Sequence, residues 1–317
     1  MANYSFVDAQ QALSFMIQQA SVIEAQVYRI QYPEIQYQAL VPVDTSGGDW
    51  VKSKTFFSLD HVGAADWLNH YASDVRLADI ERGKFEKTIE LAGIGYRYSL
   101  EEIGQAMNTP NLNLTTERAE AASRAAEEFL DNLALRGDPQ KGYEGLINSS
   151  LVTAEDAPND GTGTTRTWST KTSDQIMRDI STNGFTSIYT GSQTVEMADT
   201  ILLPPSHFAM IATKRLADNS DTTVLDWVKR YNTYTAITGN PITVRAVRGL
   251  ETAAAGGNAR MVLYRNDPQI LKFHLPMPHR FLPVWQTGPI VFDVPGIFRT
   301  GGLEIRRPKA MKYIDLI

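Results

Sequence analysis

The chain has 317 residues, of which 43% are hydrophobic and 21% charged, with a formal net charge of −6 and no cysteine. This is ordinary globular composition with ample material for a core, and it excludes disulfides, thiolate metal sites and cysteine nucleophiles. No apolar run nears the roughly 20 residues of a membrane span, the start lacks a signal peptide's basic and apolar regions, and the acidic balance gives no electrostatic argument for a nucleic-acid partner. A soluble, cytoplasmically made protein is the expectation. In chain order, residues 3–29 predict an arm with a helical part. Ala12, Phe15, Met16, Ile23 and Val27 fall near one helical face, and glutamines leave much of the rest polar. Pro33 and Pro42 bracket an extended piece, and 29–43 alternates loosely through Ile30, Tyr32, Ile35, Tyr37 and Leu40.

The pair Gly47-Gly48 then turns the chain into a long two-stranded ribbon over 47–98. Its strands are predicted at 50–57 and 84–91, the second running on to 95–98. Phe85, Ile89 and Leu91 share one side of the return strand, with Lys84, Glu86, Thr88 and Glu90 on the other. The tip, 58–82, reads as a loop with a short helix over 62–68 and an extended link over 74–79. A ribbon of two strands is marginal in water, so its apolar side needs a partner surface. A second copy of the chain is the expected partner. The contact candidates are Trp50, Phe56, Trp67, Tyr71, Phe85, Ile89 and Leu91. Trp67 and Tyr71 could equally pack on each other.

Ser99 and Glu102 fit a capping box opening a short helix to Met107, ended near Pro110. The clearest helix follows over 115–136, where Ala122, Ala126, Phe129, Leu130 and Leu133 make an apolar stripe and Gly137 supplies the C-terminal stop. A glycine-punctuated turn covers 142–148 and a polar loop 153–172. A helix over 173–188 points Ile176, Ile180 and Phe185 inward. From residue 200 the texture becomes mixed. A buried strand at 201–203 is stopped by Pro204-Pro205, helices follow at 206–216 and 223–231, and strands at 242–247, 260–264 and 270–273. The block 192–275 could fold as a domain of its own. Strand-like pieces at 288–294, 302–307 and 313–315 form the tail.

No catalytic constellation is visible. His61, His70, His207, His274 and His279 make no ligand pair at helical spacing, and no GxSxG elbow occurs. The glycines at 161–163 and 255–257 lack phosphate-loop spacing. The acidic scatter of Glu155, Asp156 and Asp160 is a solvated loop rather than a calcium site, and Arg306-Arg307-Pro308-Lys309 is a surface patch sooner than a nucleic-acid site. No catalytic residue, metal or cofactor is predicted.

The order of parts carries a resemblance. LAGIGYRYS at 91–99, GYEGLIN at 142–148, DTTVL at 221–225, KFHLPMP at 272–278 and GGLEIRRP at 301–308 resemble the encapsulin-like branch of tailed-bacteriophage major capsid proteins. That family has the Hong Kong ninety-seven type fold. The resemblance implies an α+β architecture: N-terminal arm (1–46), extended β-hairpin loop (47–98), peripheral domain with the spine helix (99–191), axial α/β domain (192–275) and C-terminal strands returning to the peripheral domain (276–317). It implies a non-enzymatic shell subunit that assembles with copies of itself in hexamers and pentamers around double-stranded DNA contacted non-specifically. Separate scaffolding, portal and decoration proteins are further implied partners, with the virion as location and no membrane. Some relatives crosslink a lysine of the extended loop, for which Lys52, Lys54, Lys84 and Lys87 are candidates by type. An encapsulin-type compartment and an enzyme with an unrecognised site are the alternatives.

Overall fold

In the computed structural model, residues 32–63, 67, 77–102 and 114–317 are described. The expected helical arm over 3–29 and the end of the helix begun at Ser99 lie outside them. Near the start of the described chain, the loose alternation over 29–43 does not make one extended piece. Tyr37–Leu40 is a turn of helix, followed by a short strand, Val43–Asp44. The cause is tertiary. Asp131, far along the sequence, accepts from the backbone N–H of Gln36 at 2.9 Å and of Tyr37 at 2.8 Å. A long-range cap of this kind satisfies the first amides of the turn, and Tyr37 and Leu40 are buried beneath it.

Asp131 belongs to the spine helix, Leu114–Arg136, 23 residues or about 35 Å long. Ala122, Ala126, Leu130 and Leu133 are buried along it as their spacing predicts. Phe129 sits at the margin of the stripe, partly exposed, and meets Phe298 edge-on at 5.7 Å. Gly137 ends the helix in the left-handed region, φ +72°.

The spine helix packs on one face of a five-stranded sheet in the order Thr243–Ala246, Thr200–Leu203, Arg260–Tyr264, Lys312–Asp315, Ala154–Asp156. Alternate residues of its strands feed two separate cores. Leu202, Val262, Tyr264 and Tyr313 join the core that holds Leu130, Leu133 and Phe273. Ile201, Leu203, Met261, Leu263 and Ile314 join a second core with Trp168, Ile176, Ile180, Phe185 and Val228. Covering on both faces explains why these strands read as continuous apolar runs. The helix expected over 173–188 runs to Gly191, but its middle, Asp179–Thr186, is π-helical. Its start carries a capping box between Thr172 and Gln175.

The tail strands after residue 276 divide among four sheets. The strand Lys312–Asp315 joins the block 192–275 to the region before it, lying antiparallel to Arg260–Tyr264 and parallel to Ala154–Asp156. Without it, the fully buried strand Arg260–Tyr264 would present an open edge. Arg260 and Asp315 face each other in the register and pair through two hydrogen bonds of 2.6 and 2.8 Å. The other tail strands join different sheets: Met277–Phe281 and Gly296–Thr300 with Glu90–Gly93, Trp285–Gly288 and Val291–Val294 with Tyr96–Ser99, and Gly302–Ile305 with Leu271–His274. No helix among the described residues is long and apolar enough to cross a membrane.

Candidate intersubunit surface

The ribbon consists of Ser53–Val62 and Asp79–Thr88, antiparallel and in unbroken register from Ser53 opposite Thr88 to Val62 opposite Asp79. Ten residues per strand reach about 33 Å. The ladder extends into residues 58–62 and 79–82, which the sequence suggests are loop. Charges such as Glu81 and Arg82 obscure the strand pattern there, and charge is tolerated because both strands are edges. Of the expected short helix at 62–68, Val62 instead ends the first strand and Gly63 and Trp67 are not helical, while of the link at 74–79 Asp79 opens the return strand. Residues 64–66, 68 and 74–76 and Tyr71 lie outside the described residues.

At the root, the N–H of Ile89 donates to the carbonyl of Lys52 at 2.8 Å and closes the ladder. Beyond this point the chain changes partners, with Glu90–Gly93 pairing to Gly296–Thr300. Charged groups gather around the root. Lys54 Nζ lies 2.5 Å from Asp44 Oδ2 and 2.9 Å from Ser46 Oγ. Burial pushes the Asp44 carboxyl up, but hydrogen bonds from Lys54 and Ser46 outweigh it and hold the group well below the usual carboxylate range. Beside them, buried His274 shares a short hydrogen bond with Glu304. Burial raises Glu304, yet His274 and Arg306 bring it below its ordinary value. Lys87, cross-strand from Lys54, sits 5.1 Å over the Tyr143 ring, and burial pushes its ammonium down against the pull of Glu304 and Glu144. Two lysines directly opposite would repel. Here each has its own carboxylates.

Residues opposite one another in an antiparallel pair share a face, so the register assigns the ribbon's two sides. One side carries Lys54 with Lys87 and Phe56 with Phe85. Its rings stack at 5.1 Å and 15°, Arg306 lies 4.9 Å over Phe56, and a cavity of about 230 Å³ separates them from Glu144, Leu303 and Glu304. The root of this side therefore faces its own body. The other side carries Phe57, Leu59 and Ile80, paired with Lys84, Arg82 and His61. Phe57 is 67% exposed and Leu59 61%.

These positions sort the predicted contacts. Trp50 is largely exposed, with Arg299 5.8 Å over its ring, and Trp67 in the tip is 100% exposed. Phe85 and Leu91 are about half exposed, but on different sheets. Phe56 is half-buried under Arg306. Ile89 is only 5% exposed within its own chain, which removes it from a surface shared with Phe85 and Leu91. The sequence pattern assumes one uninterrupted return strand, and the change of partner at Ile89 breaks that face in two. The exposed face of Phe57, Leu59 and Ile80 goes unread in the sequence because Leu59 and Ile80 fall in the supposed loop. Their signal is the Phe57-Leu59 alternation.

A second exposed apolar group, Leu100, Val284, Trp285 and Ile290, lies on and beside the sheet formed by Trp285–Gly288, Val291–Val294 and Tyr96–Ser99. The predicted capping box is present there: Ser99 N–H donates to Glu102 at 3.0 Å, and Glu102 N–H donates to Ser99 Oγ at 3.1 Å. Arg118 of the spine helix clamps Glu102 through both oxygens. His207 contacts Ser206 and the Ile317 carbonyl, and His279 the Ile94 carbonyl. Among the described residues, no three His, Cys, Asp or Glu side chains gather as a metal site.

Comparison with known proteins covers nearly the whole chain. The family described as "Major capsid protein" matches residues 63–317. Among solved structures, the capsid of Myoviridae Phage XM1 is 18% identical with a TM-score of 0.79, covering 99% of this chain and 100% of that one. A chain from Microbacterium phage Oxtober96 is 12% identical with a TM-score of 0.61, covering 98% and 99% respectively. One from Gordonia phage Cozz is 14% identical with a TM-score of 0.59, covering 100% and 96%. The fold class is that of these phage chains. No curated protein sequence matches.

Proposed function

The chain belongs to the major capsid protein family, and we propose that its copies close into the hexamers and pentamers of an icosahedral tailed-phage head, each laying its ribbon across a neighbour. As a capsid subunit its location is the virion, and its role there is structural. In our reading, residues 99–191 and the strands between 277 and 305 form the peripheral region. Residues 192–275, completed by Lys312–Asp315, form the axial region. Assembly takes place in the host bacterial cytoplasm, with any scaffolding, portal or decoration function supplied by separate proteins. The packaged double-stranded DNA is contacted non-specifically, and a net charge of −6 suits a container that does not grip it.

One observation carries the ribbon's role: its outer face holds Phe57, Leu59 and Ile80 in water although its inner root is packed on its own body. Moving each large apolar side chain from water onto a partner contributes about 1.5–3 kcal/mol. A stable interface buries on the order of 1,600 Å² in total, so the ribbon needs help from other surfaces. The patch around Trp285 is the next source in this reading. The test is to express the chain and its Phe57→Asp/Leu59→Asp variant, then compare them by size-exclusion chromatography and negative-stain microscopy. The parent should form shells, and the variant should remain a folded, soluble subunit. Shells of normal yield from the variant would overturn the assignment of this face.

A further inference from the structure

A buried charged cluster lies on the side of the central sheet opposite the spine helix. Lys171 Nζ stands 2.6 Å from Asp179 Oδ2, with both side chains 0% exposed. A second carboxylate, Asp160, places Oδ1 3.1 Å from the same nitrogen, while its Oδ2 is ion-paired with Arg178. Trp168 Nε1 donates to Asp179 Oδ2 at 3.1 Å, and Asn183 Nδ2 approaches Oδ1 at 3.4 Å. Trp168, Ile176 and Ile180 belong to the apolar core on this side. Lys214 Nζ donates to the Lys171 carbonyl and fixes the backbone from which the lysine projects.

An amine and a carboxyl group thus meet away from water, beside a second carboxylate that is partly exposed. In water the ammonium and carboxylate forms are far the more stable. With no hydration for either, the neutral amine and acid draw close in energy to the ion pair. Burial already pushes the Asp179 carboxyl above its ordinary value, against the opposing pull of Lys171. An amine already held at hydrogen-bond distance from the carboxyl group also has little translational freedom left to lose.

We infer that Lys171 and Asp179 condense into an intramolecular isopeptide bond, with Asp160 carrying the proton. Nζ of the neutral amine attacks Cγ of the neutral acid, and the Nζ–Cγ bond forms. Asp160 takes a proton from Nζ and passes it to Oδ2, and the Cγ–Oδ2 bond breaks. Oδ2 departs as water with the Trp168 N–H beside it, and Oδ1 remains as the amide carbonyl, facing Asn183. An amine and an acid become an amide and one water, with no oxidant or other co-reactant. Arg178 has a positioning role, because it anchors the oxygen of Asp160 that does not face the lysine. The link closes a ring from 171 to 179 around the first turns of the helix Ser173–Arg178, so it forms only after the chain has folded.

Mass spectrometry of the whole purified chain in denaturant tests this. The expected mass is lower by one water. Trypsin should fail to cut after Lys171, and a branched peptide should carry residues 171 and 179 together. The full calculated mass would overturn the proposal, leaving an ordinary buried ion pair. So would a lost water with normal cleavage at Lys171, which marks cyclisation at Asp160-Gly161 instead. The Asp160→Asn variant retains the Lys171–Asp179 pair and should fold, as circular dichroism will report. It should form the link about 100-fold more slowly. An unchanged rate would remove Asp160 from the mechanism.

Discussion

Asp315 holds Arg260 by two parallel hydrogen bonds, while Arg260 also donates to the Ile147 carbonyl at 2.8 Å and lies 4.5 Å over the Tyr313 ring. Removing one partner of such a pair strands a buried charge. Asp315→Ala should therefore lower the unfolding free energy by about 3–5 kcal/mol, measurable by urea titration. Exposed pairs act through pH instead. Hydrogen bonds from Arg118 hold Glu102 down at about 2, and those from Arg97 and Thr287 hold Asp293 at about 2. Both folded values lie below the unfolded carboxylate range of about 4. Their stabilisation is thus fully present above about pH 4.5 and lost as pH falls toward 2. Melting temperature should drop across that window, and Glu102→Gln with Asp293→Asn should flatten the drop. The Ser99–Glu102 box was legible from spacing alone, because its partners are three residues apart. Its clamp to Arg118 was not, because nothing in a single sequence reports a contact between a strand end and a later helix.

Helices and strands were legible where their signal is local. The spine helix shows its apolar period and its stop at Gly137, and the strand at 200–203 shows an apolar run before two prolines. The turn at Tyr37–Leu40 was hidden because Asp131, not a neighbour, caps it. The ribbon's existence could be read, but its length and outward face could not. Polar and charged residues at its tip imitate a loop, and the partner switch at Ile89 depends on a strand near residue 298. Just beyond the spine helix, a Cβ on Gly145 would lie 2.2 Å from the Leu135 carbonyl oxygen. The chain doubles back against the helix end there, and both partners are backbone. Gly145→Ala should lower stability by about 1–3 kcal/mol, seen as a fall in melting temperature.

At the scale of the molecule, the ribbon and the body separate cleanly at one point. Because Ile89 N–H meets the Lys52 carbonyl, the two ends of the excursion are neighbours. Replacing residues 53–88 by an Asn-Gly turn should thus give a chain that melts cooperatively but runs as a monomer in size-exclusion chromatography. Loss of folding would mean that the ribbon's root belongs to the subunit core; retained shells would place the clasp elsewhere. The body itself is closed by its latest strand. Ala154–Asp156 and Arg260–Tyr264 lie on either side of Lys312–Asp315 and never touch as strands without it. On the ribosome, both flanking strands are therefore made before the piece that joins them. A chain cut short anywhere upstream of residue 312 carries a split sheet, a bare edge on Arg260–Tyr264 and an unpaired Arg260. Such a fragment lacks the strand that joins its central sheet, so a copy is fit to enter a shell only once residues 312–315 have been made.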